Sequence, residues 1–122
     1  MTNYIVDSSV WVSYFEENAA CKSIIEDNNL QTPSIVVAEV VKILKQRRVP
    51  NAILEKSLDF IHSRSIILPL DFNEAANGGK VVAEEKLDFV DGIVYSYASE
   101  ENKLVTTDND FNGKPFAKLV ER

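Results

Sequence analysis

Two aspartates stand directly after short apolar stretches, at points where buried strands would end. Asp7 follows Tyr4-Ile5-Val6, Asp108 follows Leu104-Val105-Thr106-Thr107, and Asp110 lies two residues further on. In an α/β protein, the segments that leave the carboxyl ends of parallel strands line the crevice where ligands bind. We therefore expect these carboxylates to form walls of one acidic pocket.

Two further acidic residues fall within predicted helices. Glu39 interrupts an apolar helix face between two isoleucines, each four residues away, and Asp91 occupies the third position of a helix that begins after Asp88. Charged side chains are seldom buried unless they are paired or bind a metal. The only basic residue close in sequence is Lys42, three residues after Glu39. Glu39 and Asp91 are therefore candidates for the same pocket.

Clustered carboxylates without cations must hold either protons or a hard divalent ion. Oxygen ligands of this kind suit Mg²⁺ or Mn²⁺, and zinc is disfavoured because the chain has one histidine, His62, and one cysteine, Cys21. Such an ion activates water, neutralises phosphate charge and orients an in-line attack. The pattern therefore favours metal-assisted phosphodiester hydrolysis, which needs neither a histidine base nor a covalent nucleophile.

Each carboxylate also has a structural interpretation. Asp7 could cap the helix that follows it, Asp91 could form a capping box with Asp88, and Asp108 could open a turn. Glu39 is the hardest of the four to explain as structure. The joint pattern favours a functional interpretation more than any single residue does.

Composition limits the possible partners. The net charge of −6 argues against a protein that coats nucleic acid non-specifically, and is neutral towards a metal-dependent nuclease. RNA could be bound only locally, through bound cations or a small basic patch. Separately, the helix predicted at 33–46 leads into a small basic end, Gln46-Arg47-Arg48. The single cysteine, and the lack of a membrane span and of a signal peptide, predict a cytoplasmic protein.

The chain of 122 residues predicts a single domain, 1–122, of α/β class. Strands are predicted at 4–6, 30–32, 65–68, 104–107 and 117–120. Helices are predicted at 8–15, 19–27, 33–46, 51–63, 73–85 and 88–99. Strands that alternate with helices imply a mainly parallel sheet with helices on both faces.

Four segments, in this order, resemble a PIN domain, and in particular the short VapC-type toxins. They are Ile5-Val6-Asp7-Ser8-Ser9, Val37-Ala38-Glu39-Val40, the Asp-x-x-Asp-Gly-Ile-Val stretch 88–94, and Leu-Val-Thr-Thr-Asp-Asn-Asp-Phe at 104–111. The resemblance implies a three-layer α/β/α fold around a five-stranded, mainly parallel sheet. It also implies an Mg²⁺- or Mn²⁺-dependent endoribonuclease that hydrolyses RNA with metal-activated water, as the toxin of a type II toxin–antitoxin pair.

Carried over by position, the acidic quartet of the family falls on Asp7, Glu39, Asp91 and Asp108, as catalytic residues and metal ligands. Asp110 matches a less uniform acidic position that serves as an optional ligand. The implied partners are an RNA substrate, a cognate antitoxin and a second copy of the chain, with no membrane. The chain departs from the family at Gly92, where alanine is more frequent.

Other functions stay open at this point. A phosphoacceptor receiver domain would need adjacent acids after its first strand, and a haloacid-dehalogenase-type phosphatase would need Asp-x-Asp there; Asp7-Ser8-Ser9 provides neither. A catalytically silent PIN-like module that binds metal or RNA, and an RNA-processing nuclease outside toxin–antitoxin systems, fit the same residues.

Overall fold

The computed structural model describes residues 1–121 as a sheet of five strands with six α-helices. The strands are β1 (Asn3–Val6), β2 (Asn29–Pro33), β3 (Ile66–Leu68), β4 (Asn102–Thr106) and β5 (Ala117–Leu119). The helices are α1 (Ser8–Phe15), α2 (Ala19–Asp27), α3 (Ser34–Gln46), α4 (Asn51–Arg64), α5 (Phe72–Glu85) and α6 (Phe89–Tyr95). A 3₁₀ turn, Asn109–Phe111, follows β4.

All neighbouring strands are parallel, in the order β3-β2-β1-β4-β5. The central pair is β1 and β4, with Val6 opposite Val105. The backbone N–H of Asp7 continues this ladder by donating to the carbonyl of Val105 at 3.1 Å. The carboxyl ends of β1 and β4 therefore lie side by side in the middle of the sheet.

Both faces of the sheet are covered. Ile5 and Val6 are consecutive in β1 and point to opposite faces, yet both are fully buried, and so are Leu104 and Val105 in β4. A strand with apolar side chains buried on both faces is typical of a parallel sheet between two helical layers. The predicted α/β/α class is confirmed.

The buried face of α3 is rotated relative to the predicted one. The helix buries Val36, Val40 and Leu44, at four-residue spacing, whereas the sequence suggested a stripe that includes Val37 and Val41; these two are only partly buried. The helix is apolar on two faces, so its composition did not decide which face meets the core.

Two glycines allow α5 and α6 to pack closely. A Cβ atom on Gly92 would lie 2.7 Å from Cα of Val82, and one on Gly78 would lie 3.1 Å from Cγ1 of Ile93. Alanine at residue 92 would therefore force the two helices apart. The departure from the family pattern at Gly92 has a packing reason, and it fixes the position of the neighbouring Asp91.

Several predicted boundaries were wrong by a few residues. Helix α6 ends at Tyr95 rather than near residue 99. The N–H groups of Tyr97 and Ala98 donate to carbonyl groups three residues earlier, which is the pattern of a turn and not of an α-helix. Pro33 closes β2 instead of opening α3. Across residues 1–121, no helix has the length and apolar character needed to cross a bilayer.

Candidate metal centre

Asp7 is held rigidly at the junction of β1 and α1, with 4% of its surface exposed. It is the N-cap residue of α1, and Oδ1 accepts from the backbone N–H of Ser8 at 2.9 Å. Burial raises the pKa of Asp7 above its ordinary value of 3.8, and the charge of Asp108 adds to this, whereas hydrogen bonds from Thr106, Ser9 and Ser8 act in the opposite direction. Asp7 is thus a helix cap and a wall of the pocket at once.

Two hydroxyls fix the second oxygen of Asp7. Thr106 donates to Oδ2 at 2.7 Å and Ser9 donates to it at 3.0 Å. The same hydroxyls accept backbone N–H groups from the loop after β4, Thr106 from Asp108 and Ser9 from Thr107, each at 3.0 Å. They therefore tie the two strand-end acids into one network across the β1–β4 pair.

Glu39 brings an unsatisfied oxygen into the pocket. Its Oε1 is buried and has no hydrogen-bond partner among residues 1–121. Burial raises the pKa of Glu39 above 4.5, as do the charges of Asp7 and Asp108, and Lys42 and the Ser8 hydroxyl offset this in part. A buried carboxylate oxygen without a partner is costly, so Glu39 is in place for a proton or a cation.

Asp91 lies in the first turn of α6. Burial raises its pKa from 3.8 to about 7, with further contributions from Asp7, Asp108, Glu39 and Asp88 in that order. Asp88 is the N-cap residue of α6, as predicted, but its side chain makes no capping hydrogen bond to the helix. Four like charges, those of Asp7, Asp108, Glu39 and Asp88, therefore act on the carboxyl group of Asp91.

Asp108 and Asp110 have different surroundings. Asp108 is partly buried and caps the 3₁₀ turn, where its Oδ1 accepts from the N–H of Asp110 at 2.9 Å. The side chain of Asp110 is exposed and belongs to a second group, in which carboxylate oxygens of Asp88, Asp91 and Asp110 lie within 4.8 Å of one another. Asp91 therefore belongs to this second group and also to the first, which it forms with Asp7, Glu39 and Asp108.

Asp7, Glu39, Asp91 and Asp108 all line one cleft of about 450 Å³ at the carboxyl edge of the sheet. Its remaining walls come from Ser8, Ser9, Val12, Ile43, Arg47, Thr107 and Asn109. Two ion pairs occur among residues 1–121, and neither includes any of these four acids. The cleft is therefore strongly acidic, and none of its four acids has an ion-pair partner within these residues.

The donor set of the cleft fits a hard divalent cation. All four acids offer carboxylate oxygens, the ligands that such ions prefer, and the unpaired Oε1 of Glu39 provides a buried oxygen that a cation would satisfy. The pKa values of Asp7, Glu39 and Asp91 are raised first by burial and then by neighbouring like charges, and a bound cation would offset both effects.

Sequence reasoning did not include two residues of this region. Asp88 was assigned to a helix cap, although its spacing from Asp91 places both on one helix face. Arg47 was noted only as part of a basic end, although it lies eight residues after Glu39, with Ile43 halfway between them. Helical spacing alone could have assigned Arg47 to the cleft and placed Asp88 beside Asp91.

Comparisons with known proteins agree with this architecture. A chain of a toxin–antitoxin complex from Klebsiella pneumoniae superposes with a TM-score of 0.78 and 20% identity, over 95% of this chain and 96% of that one. A chain of VapBC2 from Rickettsia felis, bound to a DNA fragment from its promoter, gives 0.75 and 18%, over 98% and 100%.

A third structure, VapC20 of Mycobacterium tuberculosis, described as a sarcin-ricin loop cleaving toxin, gives a TM-score of 0.64 and 15% identity, over 78% of this chain and 80% of that one. Comparison with curated protein sequences gives no match. The family model described as PIN domain matches residues 4–117, which covers every strand end and helix that carries the four acids. The chain therefore belongs to the PIN domain family.

Proposed function

We propose that this protein is an endoribonuclease dependent on Mg²⁺ or Mn²⁺ and the toxin of a type II toxin–antitoxin pair. One observation carries the proposal: Asp7, Glu39, Asp91 and Asp108 converge on one cleft with no ion-pair partner among residues 1–121, and one Glu39 oxygen is buried and unpaired. Members of the PIN domain family are generally nucleases that use divalent metals.

The four carboxylates of the cleft are the residues that would hold the ion. When bound, a divalent ion activates water and neutralises the charge of the phosphate under attack. Asp7 is oriented by Ser8, Ser9 and Thr106, so little side-chain freedom remains to be lost on binding. Asp91, with a pKa of about 7, must give up its proton before it can act as a ligand.

The division of roles follows from the surroundings of each acid. Asp7 and Asp108 are fixed through one hydroxyl network, whereas Glu39 supplies a buried oxygen from α3. Asp110 is exposed and stands beside Asp88 and Asp91. We assign Asp110, together with Asp88, to an optional outer position rather than to the central site.

The proposed biological role draws on the structural relatives. The matched structures include toxin–antitoxin complexes and a toxin described as cleaving the sarcin-ricin loop. By analogy, we assign RNA as the substrate, a cognate antitoxin and a second copy of the chain as partners, and residues 1–122 as one nuclease domain. The site of action would be the cytoplasm, where structured RNA is abundant.

Cleavage of purified RNA tests the chemistry. We expect the wild-type protein to cut RNA at internal positions with Mg²⁺ or Mn²⁺, and to lose this activity in a chelator and as Asp7→Asn. Asp59→Asn is the matched control, because it removes one carboxylate charge from the exposed surface of α4, away from the cleft. Cleavage that survives both the chelator and Asp7→Asn would refute the metal mechanism.

Expression in bacterial cells tests the role as a toxin. Wild-type protein should arrest growth, Asp91→Asn should not, and co-expression of a cognate antitoxin, to be sought in an adjacent small reading frame, should restore growth in cells that express the wild type. Equal arrest by both proteins would show that the toxicity is not catalytic. Metal binding without cleavage of any RNA would instead favour a catalytically silent module, and cleavage without arrest would favour an RNA-processing nuclease.

A further inference from the structure

One cation lines the acidic cleft. Arg47 is the first residue after α3 and is the only basic residue among those that form the cleft walls, all of which lie in the described part of the chain. Glu39, Ile43 and Arg47 follow one another at four-residue spacing and all three line the cleft. Eight residues of helix correspond to about 12 Å, so Arg47 marks the far end of the cleft from Glu39.

Arg47 is not used to neutralise the four acids. Its Nη1 donates to Oε2 of Glu16 at 2.6 Å, and the side chains of Arg47 and Glu16 are 46% and 56% exposed. Glu16 is the C-cap residue of α1, and Glu17 follows with a positive φ of 64°, so the pair joins the ends of α1 and α3. A guanidinium group has five N–H donors, and this contact with Glu16 uses one of them.

An ion pair at this level of exposure contributes little to stability. Its relevance lies in what it leaves over, since Arg47 lines the cleft and the contact with Glu16 occupies only one of its five N–H donors. A planar group with several free N–H donors suits the oxygens of a phosphate group. An RNA strand whose cleaved bond lies at the four carboxylates carries further phosphates on either side.

We propose that Arg47 binds a backbone phosphate of the RNA that flanks the cleaved bond, and so positions the strand along the cleft. The inference rests on the proposed ribonuclease function. It accounts for how a chain with a net charge of −6 holds a polyanion, since a single local cation and the bound ion supply the attraction. The contact is to the backbone, so it is independent of the RNA sequence.

Binding of a fluorescently labelled single-stranded RNA tests this role. Anisotropy is measured with Ca²⁺ in place of Mg²⁺ at several salt concentrations, and the RNA is checked afterwards for integrity. Arg47→Gln should raise Kd roughly tenfold, the effect of one charge-assisted hydrogen-bond pair. The slope of log Kd against log salt should fall by about 0.7, the value for one phosphate contact to a single strand.

Two variants control for charge and for the ion pair. Arg48→Gln makes the same change in net charge at a neighbouring exposed residue that does not line the cleft. Glu16→Gln removes the ion pair but keeps the guanidinium group. Both should bind RNA within about twofold of the wild type, with an unchanged salt slope. Arg47→Lys keeps the charge and should restore the slope, with part of the affinity.

The outcomes separate this inference from the proposed function. Wild-type cleavage and binding, together with an unchanged Kd and slope for Arg47→Gln, would overturn the role of Arg47 and leave the ribonuclease assignment standing. Equal weakening by Glu16→Gln and Arg47→Gln would show that the ion pair has only a structural role, and would also overturn it. Failure of the wild type both to bind and to cleave RNA would overturn the proposed function, and the inference with it.

Discussion

The two ends of the sheet carry clefts of similar size but different charge. The cleft at the carboxyl ends of the strands measures about 450 Å³ and the one at the amino ends about 430 Å³. The first is lined by four carboxylates, whereas the second is lined mainly by neutral amides and hydroxyls, with Arg64 as its one cation among the described residues. Size therefore does not distinguish a functional site from an ordinary groove in this molecule.

Hydrogen bonding distinguishes the two ends. At the amino end, Asn29 Nδ2 donates to Oδ1 of Asn3 at 3.0 Å, and Arg64 Nη2 donates to the carbonyl of Asn28 at 2.6 Å. Among residues 1–121, no buried side-chain nitrogen or oxygen of this cleft lacks a hydrogen-bond partner. At the carboxyl end, Oε1 of Glu39 has no partner within residues 1–121, and burial, together with the neighbouring like charges, raises the pKa of Asp91 to about 7. An unpaired buried oxygen and mutually repelling carboxylates are unfavourable without a ligand. They therefore indicate that the carboxyl end is a binding site.

Paired substitutions at the two ends should give the largest contrast. Asp108→Asn removes a proposed ligand and should reduce RNA cleavage by roughly 10³-fold, because the loss of a metal ligand costs several kcal/mol of transition-state stabilisation. Asn29→Ala at the amino end should leave the cleavage rate unchanged and lower the free energy of unfolding by about 1 kcal/mol, the value of one hydrogen bond. Cleavage rates and thermal melts of both variants make the comparison. A comparable loss of cleavage in Asn29→Ala would remove the distinction between the two ends.

Thr106→Val tests whether the acidic end depends on its hydroxyl network. Thr106 is fully buried, donates to Asp7 at 2.7 Å and accepts the N–H of Asp108 at 3.0 Å. Valine keeps the shape but loses both bonds, so affinity for Mn²⁺ should fall by about 10- to 100-fold, as for other residues that orient metal ligands. Calorimetric titration measures the affinity, and Thr32→Val, at a buried hydroxyl bonded to Ser65, is the matched control. Equal Mn²⁺ affinities for both variants would show that Thr106 is not a positioning residue.

The pH dependence of stability should give the smallest effect. The pKa of Asp91 is raised from 3.8 to about 7 by folding, so below pH 3.8 both states hold the proton, between pH 3.8 and about 7 only the folded state does, and above that neither does. The stabilisation is therefore present at low pH and is lost as the pH rises through about 7. In the presence of a chelator, Asp91→Asn should be more stable than the wild type at pH 8 by about 1 kcal/mol, or roughly 4 °C in Tm, after allowance for solvent screening.

Asp59→Asn provides the reference for this measurement, since it removes an exposed charge outside the cleft. Its Tm should follow that of the wild type from pH 5 to pH 8. If Asp91→Asn also followed the wild type, the acids of the cleft would not repel one another, and the contrast between the two ends of the sheet would be weaker than we describe.

The sequence contained the information needed for the sheet and for the strand-end acids. Buried strands that alternate with helices predicted the parallel sheet, which is confirmed, and Asp7 and Asp108 could be brought together because carboxyl ends of parallel strands meet at one edge. The interruption of an apolar helix by Glu39 indicated the third acid. These inferences rest on local pattern and on rules of topology.

Details that depend on packing were not predictable from a single sequence. The rotation of α3, which buries Val36 instead of Val37, is set by the elements around it rather than by helical periodicity. The need for glycine at residue 92 arises from Val82, ten residues away on another helix. The double role of Thr106 depends on the register of β1 against β4. In each case the deciding contact is tertiary.

The position of a bound ion tests the central claim most directly. Crystals soaked in Mn²⁺ give an anomalous signal that locates the metal without reference to activity. We predict a peak in the cleft, in contact with carboxylates of Asp7, Glu39, Asp91 and Asp108. A peak only at the outer group of Asp88, Asp91 and Asp110, or no ordered peak at a saturating concentration of Mn²⁺, would contradict the account.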